Sequence, residues 1–158
     1  MNKLISIILT AVFFVGLMSC ETMEDPEIKN TSTWPLNGEY WVQYDGSSEV
    51  SGYHKIIITN TAADDGKSIL INDHGYDFMI RSNADMESVT FDVADYQVND
   101  TTSVSITNGQ LMVDGTQTPA SNVVTDSLYM EMEVVTPSKT EQVSISGYKY
   151  TGWPEDNH

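Results

Sequence analysis

The chain has 158 residues, one cysteine, and 23 acidic against 7 basic side chains, for a formal net charge of −16. A field of that sign repels phosphate backbones, which argues against a nucleic-acid partner. A lone cysteine leaves no internal disulfide and no multi-cysteine metal site.

Residues 1–19 carry Lys3, an apolar run over residues 4–17, and then Leu17-Met18-Ser19-Cys20. The run is shorter than the roughly 20 residues a membrane-spanning helix needs. A charged start, a short apolar core and small residues before the cut form the secretory signal pattern. Its ending on Cys20 is similar to a bacterial lipoprotein signal, which makes Cys20 the expected site of lipid attachment and the first mature residue. An anchor of two or three acyl chains holds firmly, whereas one chain binds marginally. Residues 20–33 are polar, acidic and aperiodic, the character of a flexible tether. Glu21, Glu24 and Asp25 are similar to the export tag of Bacteroidetes surface lipoproteins. The expected location is therefore the outer membrane, at the cell surface, with the inner leaflet of that membrane as the alternative.

Residues 34–158 read as one domain of short strands. Tyr40, Val42 and Tyr44 alternate with Trp41 and Gln43, the period of a half-buried strand. Residues 54–60 form the second strand and 68–72 the third, joined across Asp64-Asp65-Gly66, where glycine supplies a positive φ. A fourth strand over 76–81 points Tyr76, Phe78 and Ile80 inward, and a fifth over 88–93 points Val89, Phe91 and Val93 inward. Residues 94–101 read as a polar connection. Residues 103–107, Asn108-Gly109 and 110–113 read as a hairpin, because Asn-Gly suits a type I′ turn. Residues 114–122 read as a loop. Leu128, Met130, Met132 and Val134 alternate along residues 127–136, and Val143 and Ile145 along 142–150.

About nine short strands with regular turn signals predict an all-β fold. Sequential hairpins favour a single antiparallel up-and-down barrel of about eight strands, whose closure removes exposed edges. Residues 56–58 and 69–71 are apolar on both faces, so their outward side chains call for a cover. The cover could be Trp34-Pro-Leu, the Trp153 tail or a protein partner.

No catalytic or cofactor signature stands out. The three histidines are His54, His74 and His158. No Gly-x-Ser-x-Gly elbow, zinc motif, phosphate loop or dinucleotide fingerprint is present. Asp73-His74 reads as turn chemistry. The apolar interior is the remaining candidate, since an eight-stranded barrel either fills itself with side chains or holds one small ligand. Tyr40, Val42, Phe78, Ile80, Phe91, Met130 and Met132 are the candidate ligand contacts, the methionines because they adapt to irregular apolar shapes. The alternative is that they are ordinary core. Arg81 could meet a carboxylate if it faced inward, and would otherwise pair with surface acids.

The runs His54-Lys-Ile-Ile-Ile-Thr-Asn-Thr, Ser68-Ile-Leu-Ile-Asn-Asp, Tyr76-Asp-Phe-Met-Ile-Arg and Val89-Thr-Phe resemble a family of Bacteroidetes lipoproteins labelled lipid-binding putative hydrolases. The opening Leu36-Asn-Gly-Glu-Tyr-Trp-Val and the closing Ser146-Gly-Tyr-Lys-Tyr-Thr-Gly-Trp-Pro-Glu-Asp resemble it as well. The resemblance implies a calycin-like barrel, the class of lipocalins and fatty-acid carriers. The opening Gly38-Glu-Tyr40 departs from the lipocalin Gly-x-Trp, with Trp41 one place late. The hydrolase label attaches to no residue identified here. The expected function is binding of a small apolar ligand, a lipid or fatty acid, by a membrane-anchored envelope protein without a cofactor. The alternatives are a filled barrel that docks an envelope protein partner, and an esterase-like hydrolase.

Overall fold

The computed structural model describes residues 29–158. Cys20 and the signal segment lie outside the described residues. Eight strands follow one another: β1 (Gly38–Asp45), β2 (His54–Asn60), β3 (Ser68–Asp73), β4 (Phe78–Asp85), β5 (Thr90–Asn99), β6 (Thr102–Gln117), β7 (Val124–Val135) and β8 (Thr140–Lys149). Each pairs antiparallel with the next, and β8 returns to β1, so the sheet closes into an up-and-down barrel in chain order. A single 3₁₀ turn, Pro154–Asp156, follows, and no α-helix occurs among the described residues.

Alternation explains the inner wall. Tyr40 pairs with Ile56, Ile58 with Ile71, Ile71 with Ile80, and Met130 with Ile145, and all of these side chains are buried in one cluster. Opposed apolar pairs on one face are the unit of sheet stabilisation. Burying a side chain of this size is worth about 1.5–3 kcal/mol.

The second and third strands fall where their apolar runs and turn signals place them, the third running one residue further to Asp73. The fourth and fifth lie further along the chain. Asp77 takes a φ of 60° and Val89 a φ of 55°, so both sit in turns rather than in strands. Residues 94–99, expected as a connection, continue β5. The expected Asn108-Gly109 hairpin is a bulge inside the 16-residue strand β6. Asn108 has a φ of 53°, yet the ladder to β7 resumes beyond it at Gln110–Tyr129. The bulge switches the inward parity, so Ile106 and Leu111 both face the core across five residues. Val113, the last residue of the expected hairpin, is 66% exposed beyond this second inward stretch.

The two barrel ends differ. At one end the turn over residues 32–36 inserts Leu36, which is fully buried, and Tyr40 Oη donates to the Leu36 carbonyl at 2.8 Å. Thr31–Thr33, at the end of the segment expected as tether, are part of this plug. Thr33 is buried, and Ser32 N–H and Oγ donate to Asp64 Oδ1. The other end carries the loops at 46–53, 74–77, 100–101 and 136–139 and is called the mouth below. The C-terminal tail runs along the outer wall. His158 stacks on Tyr53 at 3.9 Å and meets Trp41 edge-on at 5.5 Å, which covers that outward tryptophan. Ile57 and Leu70, the outward members of the doubly apolar hairpin, are half-buried.

Candidate functional site

The barrel interior gathers the residues singled out from the sequence. Tyr40, Val42, Ile80, Met130 and Met132 are at most 1% exposed and Phe91 is 2% exposed, while Phe78 packs half-buried against the same cluster. These side chains fill the interior rather than line an open space. A chain-like ligand would have to displace them. Met130 and Met132, unbranched and conformationally adaptable, are the groups best able to move.

One wall of the barrel is incompletely zipped. β4 and β5 pair only over Asn83–Asp92, Ala84–Phe91 and Asp85–Thr90. Toward the mouth, β4 stays paired to β3 as far as Phe78, and β5 to β6 as far as Asn99, but no ladder joins β4 to β5 there. Ser82 Oγ bridges to the Asp92 carbonyl at 2.8 Å where the two strands part. The side chains on the inner face beyond that point, Phe78, Val93, Tyr96 and Val98, are half-buried against the core. Unpaired strand edges beside partly exposed apolar side chains make this the weakest part of the wall.

The mouth holds a polar cluster. Residues 46–53 fold over it and insert Val50 into the core. Glu141, on the inner face opposite Val134, holds this loop. It accepts from the Ser48 N–H and from Tyr76 Oη, and pairs with Lys139 at 3.2 Å. Those donors, the Ser48 N–H foremost, lower the Glu141 pKa to about 2. Tyr76 Oη also bonds Ser47 Oγ at 2.8 Å, tying the loop at 46–53 to the loop at 74–77.

Asp73 lies deeper. Its register between Ile56 and Phe78 puts it on the inner face, and it is fully buried. Oδ1 accepts from Tyr44 Oη, from the Gly75 N–H at 2.7 Å and from the Tyr76 N–H at 3.3 Å. Oδ2 is buried without a partner. Leaving one such atom unsatisfied costs about 1–3 kcal/mol. Burial raises the Asp73 pKa despite the opposing donors on Oδ1 and the field of His54. The sequence reading ended the third strand at Asn72 and treated Asp73 as a turn residue. Its inward parity with Ile69 and Ile71 was the available signal.

Other candidates separate from this region. Arg81 is exposed on the outer wall and donates to Ser68 Oγ at 3.2 Å. His54 bonds the Ser51 carbonyl, His74 bonds Asn72 and His158 bonds Tyr148, so among the described residues no histidine is hydrogen bonded to a serine or threonine hydroxyl. No group of three or more His, Cys, Asp or Glu among the described residues is placed to hold a metal ion. A recess of about 550 Å³ on the outer wall is lined by Asp45, Thr107, Glu131, Glu133 and Gln142 among others, a polar and acidic surface ill suited to an apolar chain.

No curated protein matches the chain. Residues 25–154, which take in the plug, all eight strands and the mouth, match the family described as "Lipid-binding putative hydrolase", and the chain belongs to that family.

Proposed function

We propose that the chain is an envelope lipoprotein, anchored through Cys20 at the outer membrane and facing the cell surface, that carries one small apolar ligand in a calycin-like barrel. The ligand is a lipid or fatty acid whose chain lies among Tyr40, Val42, Phe78, Ile80, Phe91, Met130 and Met132. The observation that carries this reading is the open β4–β5 seam. It sets half-buried Phe78, Val93, Tyr96 and Val98 beside an otherwise closed apolar interior. A chain can enter there by displacing side chains, without breaking a ladder. Membership of a lipid-binding family supports the same reading.

Native mass spectrometry of the full chain purified from the envelope of a bacterium that processes lipoproteins tests both halves. An added diacylglyceryl mass on Cys20, with a discrete acyl species released on denaturation, is the expected result. A protein that carries no ligand and takes up no fatty acid or phospholipid overturns the carrier reading. The packed interior favours one alternative in that case, a filled barrel docking an envelope protein through the hairpin of β2 and β3, where Ile57 and Leu70 are half-buried on the outer wall.

A further inference from the structure

We propose that the polar end of the ligand is a carboxylic acid seated against Asp73 Oδ2, the two carboxyl groups sharing one proton. This rests on the carrier reading and names its ligand class as fatty-acid-like. Three features of the mouth point to it. Asp73 is fully buried on the inner face and its Oδ2 has no partner, so the site lacks one hydrogen-bonding group. Oδ1 is already occupied by Tyr44 Oη and the N–H groups of Gly75 and Tyr76, which leaves Oδ2 as the atom to carry or accept a proton. Asp73 also lies beside Phe78, at the mouthward end of β4 where the seam is open, so a chain lying in the interior can bring its end group there.

The electrostatics select the head. Tyr44 from β1, His54 from β2 and Tyr76 from the loop at 74–77 face Asp73, and Glu141 from β8 reaches it through Tyr76. Lys139, the cation in contact with Glu141, is already shared with Glu49. A phosphate head would bring a retained negative charge beside an ionised Glu141 whose cation, Lys139, is already shared. Two carboxyl groups in contact need only one proton to become matched as donor and acceptor, because like charges that close cannot both ionise. No covalent bond changes. Where both separated partners are ionised, forming the complex takes up one proton.

The test is binding of dodecanoic acid, dodecanol and dodecyl phosphate to the full chain between pH 5 and pH 8. It uses the wild type, Asp73→Asn and, as a control for the nearby imidazole, His54→Gln. Wild type and His54→Gln are expected to bind dodecanoic acid more weakly as pH rises, by up to about tenfold per unit where a proton is taken up. Asp73→Asn, whose amide donates to a carboxylate without sharing a proton, is expected to lose that slope. Proton uptake by the wild type in weak buffer needs no variant, and up to one proton per bound dodecanoic acid is expected over the pH range in which its binding weakens. An unchanged slope in Asp73→Asn, no proton uptake anywhere between pH 5 and pH 8, or dodecyl phosphate or dodecanol binding more tightly than the acid at pH 5 overturns this inference and leaves the carrier reading standing. Failure of every probe to bind the wild type overturns both.

Discussion

Glu141 ties chemistry to loop position at the scale of one residue. Its carboxylate accepts from the Ser48 N–H and Tyr76 Oη and pairs with Lys139, so this charged group joins the Tyr76–Ser47 bond, the Lys139–Glu49 pair and buried Val50 in holding the cover of the mouth. The folded-state pKa is lowered from 4.5 to about 2. A group depressed in the folded state contributes stability that is present above its unfolded pKa and lost as pH falls through the folded value. The contribution should therefore fade between pH 4.5 and about 2. Glu141→Gln removes it at all pH. Its melting temperature should fall at neutral pH by the equivalent of roughly 1–2 kcal/mol, a value discounted for solvent at the rim. The wild type and variant curves should converge in acid, and parallel curves down to pH 2 would show that the charge does not hold the loop. Asp73 has the opposite sign. Raised by burial, it favours the fold below its unfolded pKa and costs stability as pH rises. The sequence displays both residues as unexceptional acids among 23. Inward parity, of Asp73 with Ile69 and Ile71 and of Glu141 with Val143 and Ile145, is the one local signal, and the rest of their character comes from strands far apart in the chain. The inward faces were legible for the converse reason: strand alternation is a local signal, and it turned Tyr40, Val42, Ile80, Phe91, Met130 and Met132 to the interior, where the structure has them buried.

Strands β2 and β3 show how far an element can be read, and β6 shows where reading fails. Residues 54–60 and 68–72 are short apolar runs between strong turn signals, so the two elements were plain and only the last residue of the third, Asp73, was missed. In β6 the inward parity breaks at Asn108-Gly109. A parity break with Asn-Gly at its centre is what a two-residue hairpin produces, and a bulge produces the same pattern. Only the partner strand decides, and β7 pairs with β6 on both sides of the break. Gly109 fits where a side chain would not. A Cβ there would lie 2.4 Å from the Phe91 carbonyl oxygen and 2.6 Å from its ring. Gly109→Ala should therefore cost about 1–3 kcal/mol by overpacking, read as a lower urea midpoint with an unchanged m-value. The Phe91 ring would be pushed toward the interior, so the variant should also bind less of any interior ligand. A variant as stable as the wild type would mean that β5 yields at this point and that the bulge is not a rigid device.

The whole molecule is a tube with unlike ends. At the plug, Leu36 is fully buried, its carbonyl is held by Tyr40, and Lys149 pairs with Asp126 at 3.1 Å beneath Trp34, whose ring lies 5.9 Å from the same ammonium. At the mouth, the cover is a loop held by polar contacts, and the neighbouring seam is unladdered. The carrier reading thus assigns stability and exchange to opposite ends, since openings that admit a ligand are drawn from the least stable parts of a structure. Leu36→Ala separates the two. Truncating a fully buried leucine should cost about 2–5 kcal/mol, seen as an earlier unfolding midpoint. Exchange through the mouth depends on the loop at 46–53 and on β4 and β5, none of which Leu36 belongs to. The rate at which a fluorescent fatty acid leaves the folded variant should accordingly match the wild type, while Glu141→Gln, which loosens the cover, should speed it. A faster release from Leu36→Ala than from Glu141→Gln would reverse the assignment, making the plug the door and the polar mouth the closed end.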